Sequence, residues 1–139
     1  MRKYLIDSDI LIYFLKGKQE VVERISQIPI DDLYISRINY TELIYGAYNS
    51  ARIEQNLKVI EPFLDNFKIL EFTKNSSLIF AKEKARLKKS GNIITDMDLM
   101  IASIAIENDC VLISNNIKHF RRVQNLELEK KVITKQSSQ

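Results

Sequence analysis

Tyr4-Leu5-Ile6-Asp7-Ser8-Asp9-Ile10-Leu11-Ile12-Tyr13-Phe14-Leu15 changes its structural period once, in the middle. Tyr4, Leu5 and Ile6 form an uninterrupted apolar run of strand type, whereas Ile10, Leu11, Phe14 and Leu15 recur at helical spacing. Asp7-Ser8-Asp9 lies between them with the side chains that start helices, so the stretch reads strand, cap, helix. A strand that runs straight into a helix is the first half of a crossover unit.

The same alternation continues outward from this stretch. A helical stretch over roughly residues 18–28 stops at Pro29, and Leu33-Tyr34-Ile35 gives a second strand before a helix that begins near Asn39. Leu43, Ile44 and Ala47 form the apolar face of that helix. Residues 52–65 are amphipathic through Ile53, Leu57, Ile60 and Leu64, and Pro62 is expected to end or kink them. Residues 67–72 form a third strand, and Thr73 caps a charged helix that Ser90-Gly91 stops. Residues 97–107 are apolar almost all round, as in a helix buried between layers. Val111-Leu112-Ile113 is a fourth strand, and Leu126 with Leu128 marks a short fifth one at an edge. Strands alternating with helices imply right-handed crossovers and a short, mostly parallel sheet covered on both faces, an α/β fold in three layers, α/β/α. One domain over residues 1–130 is expected, followed by a polar tail at 131–139 in which 134–139 read as disordered.

Composition limits the function classes. The chain has 139 residues, with 21 Lys plus Arg against 18 Asp plus Glu, a net charge of +3. Hydrophobic residues make up 45% and charged ones 28%, enough for one core and too apolar for a disordered chain. No uncharged apolar run is long enough to span a membrane, and Asp7 with Asp9 interrupts the first apolar run, which argues against a secretory signal. Cys110 is the single cysteine, so neither a disulfide framework nor a cysteine zinc site is available, and a cytoplasmic location is expected. Basic residues collect at Lys82, Lys84, Arg86, Lys88 and Lys89, at Lys118, His119, Arg121 and Arg122, and at Lys130, Lys131 and Lys135. Each cluster alone reads as an ordinary solvated face.

In parallel sheets, ligands bind outside the carboxyl ends of the strands, and here the residues that follow the strands are acidic. Asp7 and Asp9 follow the first strand, Glu42 lies early in the helix after the second, Asp96 and Asp98 begin the buried helix, and Asn116 follows the fourth strand. Each has a structural explanation: Asp7 or Ser8 caps the first helix, and Asn39 with Glu42 and Thr95 with Asp98 have capping-box spacing. As a set, carboxylates gathered at one sheet edge repel one another unless a cation sits among them. Oxygen ligands with no cysteine suit Mg²⁺ or Mn²⁺.

Four segments, Asp7-Ser8-Asp9-Ile10-Leu11-Ile12, Thr41-Glu42-Leu43-Ile44-Tyr45-Gly46-Ala47, Asp98-Leu99-Met100-Ile101-Ala102-Ser103 and Ser114-Asn115-Asn116-Ile117-Lys118-His119-Phe120, together resemble PIN-domain ribonucleases of the VapC type. These are the toxins of bacterial and archaeal toxin-antitoxin pairs. The resemblance covers about residues 3–128 and implies a PIN-like fold. It makes Asp7, Glu42 and Asp98 the ligands of one or two Mg²⁺ or Mn²⁺ ions, with Asn116 as the fourth site residue. Ser8 matches a supporting hydroxyl residue, and Ser114 stands where the family usually has Thr. Asp9 occupies a position often filled by Asn or Ser, Asn116 replaces a frequent Asp, and Asp96 is an extra acid beside Asp98.

The resemblance implies an endoribonuclease that inhibits translation by cutting transfer or ribosomal RNA. Its ion would make hydroxide available, with water activation shared by Asp7 and Asp98. Since water and not the ribose 2′-hydroxyl attacks, the products carry 5′-phosphate and 3′-hydroxyl ends. Lys82, Arg86 and Lys118 are the expected RNA contacts. His119 reads as structural, and Tyr40, Tyr45 and Tyr48 as core or dimer contacts. A homodimer and a small antitoxin are the implied partners. Two alternatives stand beside this reading. A haloacid-dehalogenase-like phosphotransferase also places Asp-x-Asp after its first strand, but it needs a small-residue hairpin that Ile10-Leu11-Ile12 does not supply. A non-catalytic PIN-like binding module would retain partner binding without metal.

Overall fold

A computed structural model of the chain describes residues 2–129. The expected tail and the cluster Lys130, Lys131 and Lys135 lie outside the described residues. β1 (Lys3–Ile6) passes through Asp7 into α1 (Ser8–Leu15), and α2 (Gln19–Ser26) precedes β2 (Leu33–Ser36). Next, α3 (Arg37–Tyr48) and α4 (Ile53–Leu64) lead to β3 (Lys68–Leu70), and α5 (Lys74–Ser90) and α6 (Asp96–Glu107) lead to β4 (Cys110–Ile113). The short α7 (Ile117–Phe120) comes before β5 (Glu127–Glu129).

All five strands are parallel, in the order β3-β2-β1-β4-β5. Each connection contains at least one helix, which is the crossover that a parallel pair requires. The chain builds outward from β1 to β3 and then returns to the other side of β1 to lay down β4 and β5. That reversal puts a crevice outside the carboxyl ends of β1 and β4, whose registers match from Lys3 opposite Cys110 to Ile6 opposite Ile113.

Alternation along the two central strands divides the core between the faces. Leu5 and Leu112 pack with Leu99, Ile101, Ile104 and Phe120 beneath α5 and α6. Ile6 and Ile113 pack with Ile10, Leu11, Ile35, Leu43 and Leu64 beneath α1 to α4. Burial of each such side chain is worth roughly 1.5–3 kcal/mol. α6 buries Leu99 and every residue from 101 to 105, so its nearly continuous apolar surface is that of an interior helix.

The helix ends show where local reading was displaced. α3 begins at Arg37, earlier than expected, because Ser36 is its cap: the Ser36 side chain accepts from the Asn39 N–H, and the Asn39 side chain reaches back to Ser36. This reciprocal cap replaces the expected pairing of Asn39 with Glu42 and leaves Glu42 available. Pro62 stops α4 only two residues later, at Leu64. The hydrogen bond that its ring removes belongs to the carbonyl of Lys58, an exposed residue, so solvent can satisfy it. Gly91 closes α5 in the left-handed region at φ 74°, as the Ser90-Gly91 signal predicts.

Candidate active site

Asp7 is the single residue between β1 and α1, and it is buried at 6% exposure. Its N–H bonds to the Ile113 carbonyl at 2.9 Å, so β4 fixes its backbone. Its carboxylate is held on both sides. Oδ1 accepts from the Ser8 N–H at 2.8 Å and from Asn39 Nδ2 at 3.3 Å, and Oδ2 accepts from Ser114 Oγ at 2.7 Å. Asn39, fully buried, also donates to Ser8 Oγ at 2.9 Å, and Ser8 Oγ donates to Glu42 Oε1 at 2.5 Å. A single chain of neutral donors thus sets two of the predicted acids, Asp7 and Glu42.

The turn after β4 sets the others. The Asn115 N–H donates to Asp9 Oδ2 at 3.1 Å, and the Asn116 N–H donates to Ser114 Oγ at 2.9 Å. Asn116 Nδ2 donates to Asp98 Oδ2 at 3.1 Å, while Asn116 Oδ1 lies 2.7 Å from His119 Nδ1. Thr95 caps α6 by accepting from the Asp98 N–H. Asp96, two positions earlier, points to another side of the helix and pairs with Lys84 at 2.9 Å on the exposed surface. Of the two acids at the start of α6, only Asp98 joins the cluster.

The electrostatics are those of a site with too much negative charge. Burial, reinforced by the neighbouring charge of Asp9, pushes the Asp7 carboxyl up to about 7 against the lowering effect of Ser114 and the Ser8 N–H. Burial also raises Asp9, opposed by the Asn115 N–H, and raises Glu42, opposed by the Ser8 hydroxyl. Asp98 adds repulsion to all three. Asp9 Oδ1 is a buried oxygen with no hydrogen-bond partner among the described residues. Among the described residues, no ion pair involves Asp7, Asp9, Glu42 or Asp98.

These donors fit a hard divalent cation. All are oxygens, one buried oxygen lacks a partner, and the local charge is uncompensated. Among the described residues, no three His, Cys, Asp or Glu side chains close into a cage. A site with fewer than three converging side chains still suits Mg²⁺ or Mn²⁺, because Mg²⁺ retains several of its waters and takes few protein carboxylates.

The expected RNA contacts separate from one another. Lys82 and Arg86 line a different cavity of about 350 Å³, together with Ile79, Glu83 and Gln124 and with none of the site acids. Arg86 is engaged by both oxygens of Glu83 at 2.9 and 2.6 Å and by the Arg122 carbonyl. Lys118 is exposed on α7, the helix that follows Asn116. Beside Glu42 opens a cleft of about 600 Å³ lined by Ser8, Ile12, Thr41, Leu43, Tyr45 and Met97. The passage from β1 through one residue into α1 leaves no hairpin of the kind the phosphotransferase alternative requires. Asn39 is the site residue that sequence reading missed, and the Ser36-x-x-Asn39 spacing was its one visible signal.

Residues 4–126 match the PIN domain family. The chain is 37% identical over 126 residues to Ribonuclease VapC1 of Haemophilus influenzae (strain R2866), covering 89% of this chain and 94% of the relative. It is 30% identical over 129 residues to the tRNA(fMet)-specific endonuclease VapC of Salmonella typhimurium, covering 93% of this chain and 98% of that protein. The fold matches the crystal structure of DNA-bound VapBC from Salmonella typhimurium with a TM-score of 0.86 at 30% identity, over 93% of this chain and 98% of that one. With acids at the switch point of a parallel sheet and similarity along most of its length, the chain belongs to the PIN-domain family of VapC ribonucleases.

Proposed function

We propose that this ribonuclease is a Mg²⁺- or Mn²⁺-dependent endonuclease that hydrolyses RNA phosphodiester bonds, inhibits translation, and is silenced by a small antitoxin. One observation carries the reading: Asp7, Asp9, Glu42 and Asp98 gather at the β1–β4 crevice and are held by neutral donors, with no cationic side chain among the described residues paired to them. The Salmonella relative named for tRNA(fMet) makes transfer RNA the first substrate class to test, with ribosomal RNA second. The likeness to VapBC supports the antitoxin partner. The resemblance supports a homodimer, and Lys118 remains the proposed RNA contact of the three lysine and arginine candidates.

A bound ion supplies the missing positive charge and Lewis acidity toward water and the scissile phosphate. Asp7 and Asp98 would hold it, with Glu42 completing the set. Asp7 is suited to this because both of its oxygens are already oriented, so little reorganisation accompanies binding. Ser8 occupies Glu42 Oε1 and Asn116 occupies Asp98 Oδ2, so the other oxygen of each acid would be the one left to hold an ion or to accept a proton from water. Attack by water leaves 5′-phosphate and 3′-hydroxyl ends.

The test is cleavage of a total transfer-RNA pool with Mg²⁺ or Mn²⁺, beside an EDTA control, Asp7→Asn and Asp98→Asn, with the new ends mapped. Discrete cuts with 5′-phosphate ends, lost in EDTA and in both variants, are expected. If the folded, metal-loaded and antitoxin-free protein cut neither transfer RNA nor ribosomes, the binding-module reading would take its place.

A further inference from the structure

His119 and Asn116 carry an inference that rests on the reading of Asp98 as a site carboxylate. An ionised carboxylate only accepts hydrogen bonds, so the group of Asn116 that faces Asp98 Oδ2 at 3.1 Å has to be its Nδ2 amide. The Asn116 oxygen is then the atom that lies 2.7 Å from His119 Nδ1. Oxygen and nitrogen at that distance need a hydrogen between them, and the amide oxygen has none to give. Nδ1 therefore carries it.

The rest of the turn does not depend on this bond. Phe120, fully buried in the core beside Ile101 and Leu112, anchors α7, and the Asn116 N–H is already engaged by Ser114 Oγ. His119 itself is exposed, and among the described residues the one hydrogen-bond partner of its ring is the Asn116 side chain. Without the ring N–H, the bond to Asp98 alone orders that amide, and a turned-over amide would present oxygen to oxygen at Asp98.

We infer that His119 is a positioning residue: it donates from Nδ1 to Asn116 and fixes the amide as a donor to Asp98, so that Asn116 serves Asp98 and is not a fourth oxygen ligand. The substitution of Asn for the Asp frequent at position 116 then has a purpose in this chain. A carboxylate there would face Asp98 with like charge, whereas the clamped amide orients it.

His119 is the single histidine of the chain, so its ring can be read without assignment. Long-range ¹H–¹⁵N correlation of the full-length, metal-free protein at about pH 8, above the ordinary histidine range, is expected to show the Nδ1–H tautomer. An unconstrained histidine side chain prefers Nε2–H, and Asn116→Ala is expected to restore that form. An Nε2–H spectrum in the parent protein overturns the inference. In cleavage assays, His119→Ala should lower kcat about five- to tenfold with KM for RNA unchanged, the equivalent of about one hydrogen bond between neutral groups. Calorimetry should show Mn²⁺ affinity falling in parallel. His119→Asn places an amide N–H near the position of Nδ1 and should recover both, with the pH profile unmoved. A kinetically silent His119→Ala, or a His119→Asn as impaired as Ala with one limb of the pH profile lost, overturns the inference; the latter would make His119 a proton-transfer group. The tautomer requires no turnover, so a protein that cut no RNA would defeat the proposed function and leave this result standing.

Discussion

Asp7→Asn should abolish cleavage and yet make the metal-free protein more stable than its parent at neutral pH. Burial and the charge of Asp9 raise the Asp7 carboxyl from 3.8 to about 7, a shift of about three units at 1.36 kcal/mol each, or about 4 kcal/mol. Between those two values the folded chain binds more protons than the unfolded chain, so stability falls as pH rises and the loss is complete above about 7. About 3 kcal/mol of it lies between pH 5 and pH 8. Asp9 and Glu42 are raised as well and act in the same direction. Glu71 and Glu83 are lowered by Arg37 and Arg86 and act in the opposite direction, but only below the ordinary carboxylate range. The window from pH 5 to pH 8 therefore isolates the site.

In the Asn variant, Oδ1 continues to accept from Ser8 and Asn39, and Nδ2 turns to Ser114 Oγ, whose own hydrogen loses its acceptor. That loss costs about 1 kcal/mol, leaving a net gain of about 3 kcal/mol at pH 8. Urea unfolding in EDTA at both pH values measures it. The parent should be less stable at pH 8 than at pH 5, the variant should be flatter and more stable at pH 8, and added Mn²⁺ should stabilise only the parent. Equal pH dependence in the two proteins, or a parent that gains stability toward pH 8, would refute the reasoning.

Four further outcomes follow from the same geometry. Ser114→Ala removes the donor to Asp7 Oδ2, so the Asp7 carboxyl should move further up and carry the acid limb of the kcat profile to higher pH, while Ser114→Thr should retain the parental profile. Asn39→Ala removes a buried amide bonded to Ser36, Asp7 and Ser8, and urea unfolding should show a loss of about 2–4 kcal/mol together with a fall in kcat of at least about tenfold. Asp96→Asn breaks only an exposed pair with Lys84 and should keep activity within about twofold, whereas Asp98→Asn should lose about a hundredfold or more in the same assay. Lys118→Ala should raise KM for RNA and flatten its salt dependence, and Arg86→Ala should leave both unchanged because Glu83 already engages that guanidinium.

Much of this site was legible because its parts are local. The strand, cap and helix of residues 4–15 place Asp7 at the carboxyl end of a buried strand whatever the rest of the chain does. Asp96 and Asp98 were equally visible, but which of them faces the crevice depends on the rotation of α6, and that is set by Leu99 and residues 101–105 packing against the sheet. Asn39 was read as a cap because its partner Asp7 comes near only through the pairing of β1 with β2, with Leu5 opposite Tyr34. Local pattern carries no information about that adjacency. Arg86 is the reverse case, since the Glu83-x-x-Arg86 spacing that pairs it with Glu83 is local and present in the sequence.

The choice of donors explains why the fold tolerates an unfavourable site. Among the described residues, every group that holds Asp7, Asp9, Glu42 and Asp98 is neutral: two serine hydroxyls, two asparagine amides and backbone N–H groups. A lysine or arginine in any of these places would hold the acids down in the ordinary carboxylate range and stabilise the metal-free chain, but it would fill the position a cation needs. Neutral donors fix the direction of each carboxylate without cancelling its charge. The protein thus keeps an electrostatic cost of a few kcal/mol, from burial first and mutual repulsion second, small beside the burial of two apolar layers, and a positive ligand relieves it. A metal ion and a basic side chain of a protein partner answer the same need, so a partner arginine placed among these acids should compete directly with Mn²⁺. Mn²⁺ titrations at rising concentrations of the bound partner should show its apparent affinity fall without a change in stoichiometry, and an affinity independent of the partner would mean that inhibition acts elsewhere.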